Sequence, residues 1–137
     1  MLAAIAEQTT ELRLSNGVAL AGNLDPVRLA EDYATLDLLS GGRVEPCWGR
    51  GSIFPDVYTL FGQDPGAAQG RFGETVRLID RLWTADGPID WQGEFRAPLH
   101  QAEVFPKPQQ QPRPNVWIGG GWPPDTVDLA VELGFRF

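Results

Sequence analysis

Cysteine and histidine are scarce: the 137 residues hold one of each, Cys47 and His100. A lone cysteine excludes an internal disulfide, and the spaced ligand sets of zinc sites are absent. Basic residues are also few, eleven against eighteen acidic ones, for a net charge of −7. A protein that tracks nucleic-acid phosphates needs a basic face, and a peripheral membrane binder needs a polybasic cluster, so neither nucleic acid nor membrane is an expected partner. One small anion needs only a few local donors and stays admissible. No apolar run approaches the ~20 residues of a membrane helix. The opening Met-Leu-Ala-Ala-Ile-Ala-Glu lacks the basic start and sustained apolar run of a signal peptide. The expectation is a soluble, cytoplasmic protein. The phosphate-cradling G-x-x-x-x-G-K-[ST] motif and a G-x-G-x-x-G after a strand are both missing.

What is present is an ordinary globular composition, 42% hydrophobic, long enough for one domain with a core. Leu2, Ile5, Ala6 and Thr9 lie at helical spacing. Leu12 to Leu20 reads as a short buried strand. Asp25-Pro26 starts a helix, the carboxylate capping free N–H groups and the proline filling the first position. That helix runs to about Leu39 and stops at Ser40-Gly41-Gly42. Arg43 to Trp48 is a second strand. After a loop, Asp64-Pro65 opens a helix whose inner face is Phe72, Val76, Ile79 and Trp83, with Glu74, Arg77, Asp80 and Arg81 facing water. Trp91 to Phe95 suggests a small hairpin. The stretch Pro106 to Pro114, with Gln109-Gln110-Gln111 and four prolines, reads as an extended connection. Asn115 to Gly119 is a third strand. Pro124-Asp125 opens a last helix with Val127, Ala130 and Val131 inward and Gly134 as its stop, after which Phe135 to Phe137 begins another strand. Helices and strands alternate, which means parallel strands joined by crossovers. A doubly wound sheet and a TIM barrel both fit this order.

Both architectures bind ligands at the C-terminal ends of strands. Three segments fall there: Asn16-Gly17-Val18, Gly49-Arg50-Gly51 and Gly119-Gly120-Gly121. Their glycines serve either as tight turns or as places of close backbone approach to a ligand. The helix start after Gly121 offers unpaired N–H groups to a phosphate, Thr126 adds a hydroxyl, and Arg50 adds a guanidinium. Trp48 and Trp122, beside the glycine turns, are candidates to wall a planar ring, whereas Trp83, Trp91 and Trp117 read as core or hairpin packing. Cys47 reads as a buried structural thiol and His100 as an exposed loop residue. Asp37, Ser40 and Arg43 read as a structural tie across the helix-to-strand turn.

The run Pro26 to Glu45 strongly resembles the third-helix-to-fourth-strand segment of bacterial luciferase-like monooxygenases, and Gly49-Arg50-Gly51 resembles the turn that follows there. Phe61-Gly62-Gln63-Asp64-Pro65, Arg71-Phe72 and Leu82-Trp83-Thr84 resemble the family's fourth helix. Phe105-Pro106-Lys107-Pro108 and Pro114 to Gly121 resemble the approach to its fifth strand and glycine turn. The resemblance covers essentially the whole chain in the right order. It implies an α/β fold that is part of a TIM (β/α)8 barrel, about strands 3 to 5 with their helices, residues 1–137 being one partial domain. It implies FMN, or the deazaflavin F420, as cofactor, and oxidation of a small organic substrate, with O2 as co-substrate in the FMN enzymes. A flavin reductase is the partner this chemistry implies. By the same resemblance Asn16, Gly17 and Val18 hold a backbone bulge behind the isoalloxazine, and Arg50, Gly120, Gly121 and Thr126 lie near the flavin phosphate. The catalytic residues are not assigned.

The chain departs from the family in two places. Ala68 and Gln69 stand where many relatives carry an arginine that helps the phosphate, which weakens the anion site. Asp25 stands where a histidine often precedes the proline, a change its capping role accommodates. A complete barrel takes ~250 residues. The isolated chain is therefore expected to bind flavin weakly and to be inactive, and its open strand edges predict a homo-oligomer. The alternatives are an F420-dependent oxidoreductase of the same family and a non-catalytic fragment that oligomerises.

Overall fold

A computed structural model describes residues 1–51, 54–120 and 124–137. In chain order the elements are α1 (Leu2–Gln8), β1 (Ala19–Leu20), α2 (Pro26–Leu39), β2 (Cys47–Gly49), α3 (Pro55–Leu60), α4 (Ala68–Thr84), β3 (Ile89–Trp91), β4 (Leu99–Ala102), β5 (Trp117–Gly119) and α5 (Pro124–Leu133). Short 3-10 turns at Ala21–Asn23 and Pro65–Ala67 lead toward α2 and into α4.

The sheet follows the two-residue period of extended chain. Leu14, Val44, Pro46, Trp48, Val116 and Ile118 are buried against the helices. The alternate residues Arg13, Ser15, Glu45, Cys47 and Trp117 are more open. β1, β2 and β5 form a parallel sheet in that order, in register Ala19↔Trp48 and Trp48↔Ile118. Parallel bridges at Leu14↔Val44 and Trp117↔Arg136 extend it, so the expected strand at Phe135–Phe137 does begin there. The expected strands over 12–20 and 43–48 are each broken: regular pairing is confined to Ala19–Leu20 and Cys47–Gly49, with single bridges upstream.

Helices cover one side of this sheet. The Asp25 carboxylate caps α2, accepting from the N–H groups of Val27 and Arg28 at 2.9 and 3.1 Å. α2 stops where Gly41 and Gly42 take φ of +67 and +79°, a region that favours glycine. α4 buries Phe72, Val76, Ile79 and Trp83, as the spacing predicts, and also Leu78 and Leu82, because neighbours flank it on several sides. Two of its acids expected in water are engaged instead. Glu74 accepts from the backbone N–H groups of Glu94 and Phe95 in the hairpin loop, and Asp80 pairs with Arg113 at 2.6 Å. α3 lies where the sequence reads as a loop. α5 is rotated from its expected phase: Thr126, Leu129 and Ala130 are buried, while Val131 is 75% exposed. Packing against α4 and β5 sets that phase, not the apolar pattern alone.

The hairpin forms as β3 and β4, antiparallel, with a longer loop than expected. His100 lies on β4 with its side chain 83% exposed. The Asp37–Arg43 tie is corrected. Asp37 is fully buried, and its carboxylate accepts from the backbone and side-chain N–H groups of Gln110 at 2.9 and 2.7 Å. Arg43 donates instead to the carbonyls of Ala6, Leu12 and Ser40. The glutamine–proline connection is thus a strap laid across the N-terminal half.

Candidate functional site

The open side of the sheet is concave. Ser15, Asn16, Gly17, Glu45, Cys47, Trp117, Ile118 and Gly119 line a largely apolar volume of about 490 Å³, within the size range of small-molecule sites. At its upper rim the first strand is interrupted. Four residues lie between Leu14 and Ala19, while three lie between their partners Val44 and Trp48. One residue is therefore extra, and Asn16-Gly17-Val18 forms a bulge with a cis peptide between Gly17 and Val18.

The bulge is held from two directions. From the helix side, Tyr33 on α2 donates its hydroxyl to Asn16 Oδ1 at 2.8 Å, and Asn16 Nδ2 donates to the Cys47 carbonyl at 3.4 Å. Burial, with smaller contributions from Cys47 and Asp32, pushes the Tyr33 hydroxyl up to about 12, so it remains a donor at neutral pH. From the strand side, Val18 lies over bare backbone. A Cβ on Gly49 or on Gly119 would collide with the Val18 methyls. Among the described residues a Cβ on Gly17 or Gly120 would meet nothing within 4 Å, which leaves room beside those backbones for a flat ring or an anion.

The floor is polar. Trp117 Nε1 donates to Glu45 Oε2 at 2.9 Å, Arg13 pairs with Glu45 at 2.9 Å, and the Arg136 guanidinium lies 5.1 Å from the Trp117 ring centroid. Burial raises the Glu45 carboxyl, but the Trp117 indole and Arg13 outweigh it and hold the group below the usual carboxylate range. Cys47 is half-buried on this inner face, and burial pushes its thiol up.

The expected site residues fall into two groups. Asn16, Gly17 and Val18 form the bulge at the cavity. Arg50 and Gly120 follow the paired residues Gly49 and Gly119, so they share one edge of the sheet. Arg50 is turned toward α4, donating to Gln69 Oε1 at 3.2 Å beside Pro55, Tyr58 and Gly66. Thr126 is buried in the first turn of α5. Gly121 and Trp122 lie outside the described residues. Trp48 does not wall a ring: it is fully buried between Tyr33 and Trp83 on the helix side. Trp117, expected in the core, is the inner-face tryptophan. The alternation Glu45-Pro46-Cys47 is the sequence signal for the inner face.

These residues fit a flavin: a bulge and open glycine backbone for a flat ring, and Arg50 with Gly120 on one edge for a phosphate. Among the described residues no cluster of three or more His, Cys, Asp and Glu could hold a metal, and no helix is long and apolar enough to cross a membrane.

The family profile described as luciferase-like monooxygenase matches residues 1–136. The oxygenase component of a flavin-dependent trigonelline monooxygenase from Acinetobacter baylyi is 31% identical over 134 residues, 97% of this chain and 36% of that protein. An F420-dependent glucose-6-phosphate dehydrogenase from Amycolatopsis mediterranei is 31% identical over 124 residues, 88% of this chain and 36% of that protein. The crystal structure of the monooxygenase RslO1 from Streptomyces bottropensis superposes with a TM-score of 0.90 at 30% identity, covering 98% of this chain and 40% of that one. The chain thus spans a little over a third of these relatives' length, and its three parallel strands with their helices are a portion of a TIM barrel. This chain belongs to the luciferase-like monooxygenase family.

Proposed function

We propose that this chain supplies one wall of the FMN site in a flavin-dependent monooxygenase that oxidises a small organic molecule with O2. The observation that carries the proposal is the bulge at Asn16-Gly17-Val18, clasped between Gly49 and Gly119 at the rim of the 490 Å³ concavity. The bulge backs the ring from one side. Cys47 excludes water beneath it, and the Glu45–Trp117 pair fixes the floor. Arg50, Gly120, Gly121 and Thr126 hold the phosphate. FMN supplies the redox chemistry when bound; the protein supplies orientation and a dry pocket. No catalytic acid or base is assigned to these residues.

F420 is the second reading, favoured by the F420-dependent relative at 31% identity. Both cofactors present a flat tricyclic ring to the same bulge. Titrating the chain separately with FMN and F420, followed by cofactor fluorescence, tests the two. Saturable quenching by one, reduced by Arg50→Ala and abolished by Gly119→Val, is the expected result. Absence of saturable quenching with either at millimolar protein would overturn the proposal.

A further inference from the structure

We propose that Asn16-Gly17 is a site of spontaneous modification by water, and that the Tyr33 hydroxyl is the brake that keeps Asn16 from converting to aspartate and isoaspartate. An asparagine is chemically fragile when the next backbone nitrogen can reach its side-chain amide carbon, displace ammonia and close a succinimide ring. Glycine at the next position removes the side chain that would shield that nitrogen. The chain has three asparagines, and only Asn16 precedes glycine; Asn23 precedes Leu24 and Asn115 precedes Val116.

The bulge leaves the attacking nitrogen open. Asn16 and Gly17 lie in the gap between the bridge at Leu14 and the ladder that resumes at Ala19. Among the described residues the Gly17 N–H donates to no acceptor. Gly17 is exposed, and a Cβ built on it would meet no described atom within 4 Å. Water and hydroxide therefore reach the proton that must leave. The amide, by contrast, is held at both ends. Tyr33 donates to its Oδ1 at 2.8 Å, and its Nδ2 donates to the Cys47 carbonyl at 3.4 Å. Tyr33 is itself fixed, its ring edge-on to the buried Trp48 at 4.6 Å. An amide tethered to α2 and β2 cannot turn freely onto the backbone nitrogen.

The conversion needs water alone and no cofactor. The Gly17 nitrogen loses its proton and bonds to Asn16 Cγ, the Cγ–Nδ2 bond breaks, and Nδ2 leaves as ammonia. Water then opens the ring at either carbonyl, giving aspartate or isoaspartate. Either product adds a negative charge to the rim. The isomer also inserts a methylene into the backbone of a bulge whose Val18 has no spare room against Gly49 and Gly119.

The test is mass spectrometry of peptides from the chain held at mildly alkaline pH, well below its melting temperature, scoring the amide-to-acid mass gain at each asparagine. The expected result is slow conversion at Asn16 in the folded parent and fast conversion there in urea. Tyr33→Phe keeps the ring against Trp48 and removes the shorter tether, and should speed conversion about fivefold, within the net worth of one hydrogen bond. Gly17→Ala, for which there is room, should cancel that gain when combined with it. Leu129→Ala controls for general loosening: it empties a buried position on α5 and lowers the melting temperature, and should leave the Asn16 rate unchanged. Equal rates in the parent and Tyr33→Phe, the same gain from Leu129→Ala, conversion favouring Asn23 or Asn115, or a folded parent as fast as the chain in urea would overturn the proposal.

Discussion

At the scale of single residues the rim depends on three side chains being absent or small. Gly49 and Gly119 leave room for Val18, and a methyl on Gly119 would stand 2.5 Å from Val18 Cγ1. Overpacking of this kind costs about 1–3 kcal/mol. Gly119→Ala should therefore lower stability by about that amount and weaken FMN. Combining it with Val18→Ala should restore much of both, because the second change removes the colliding atoms. Chemical denaturation with flavin titration of the two single variants and the pair reads this coupling, and strictly additive losses would sink the clasp. Tyr33 makes a pH-dependent case. Its pKa is raised from 10.0 to about 12 in the folded chain, chiefly by burial. A raised pKa means the folded state favours the neutral phenol, so this contribution is fully present below pH 10 and is lost as pH rises toward 12. Two units correspond to at most about 2–3 kcal/mol. Tyr33→Phe should flatten the stability profile over that interval relative to the parent. An unchanged slope would rule out the buried Tyr33 phenol as the source.

At the scale of elements the most consequential piece is the strap over 106–114. Gln110 satisfies both carboxylate oxygens of buried Asp37 and also donates to the Val44 carbonyl at 2.8 Å. Gln110→Ala removes the side-chain share of these bonds and strands a buried acceptor, a loss of about 1–3 kcal/mol. Thermal unfolding of that variant checks the figure. The start of α2 offers a smaller effect: Asp25→Ala removes the cap and should cost about 1 kcal/mol. Element existence was legible in the sequence wherever a local rule acts alone. Asp25-Pro26, Gly41-Gly42 and the Phe72–Trp83 spacing are such cases, since capping, left-handed glycine and helical period need no distant partner. The misses all required tertiary information. The strap's bond to Asp37 joins residues 73 apart. The phase of α5 is fixed by packing on α4. Trp48 and Trp117 exchange their expected environments because only the assembled sheet says which face the helices cover. Of the site, the bulge segment and the rim arginine were legible through the family resemblance. The polar floor of Arg13, Glu45 and Arg136 was not, because its members come from three separate strands.

At the scale of the whole molecule the concave face and the outer edge of β1 remain uncovered by any described residue. Side chains from three strands alone wall the cavity, so flavin affinity of the isolated chain should be weak, and substrate-dependent O2 or NADH consumption with added FMN should be absent. Turnover in that assay would overturn this. The same open edge and the apolar concavity favour self-association. Sedimentation at rising concentration should show a shift from monomer toward a homo-oligomer, whereas a concentration-independent monomer would remove that expectation.

The sheet order β1-β2-β5 carries a further consequence, for the birth of the chain. The central strand pairs on one side with a segment about thirty residues behind it and on the other with one seventy residues ahead, Cys47 against Trp117. Ribosomes add about 5–20 residues per second. The free edge of β2 therefore emerges roughly 4–14 s before the strand that closes it. For that interval the nascent protein displays an unpaired ladder backed by Trp48, a surface that other nascent copies can invade. Slowing translation between codons 50 and 115 should lengthen this window and raise the insoluble fraction, even though the finished amino-acid sequence is unchanged.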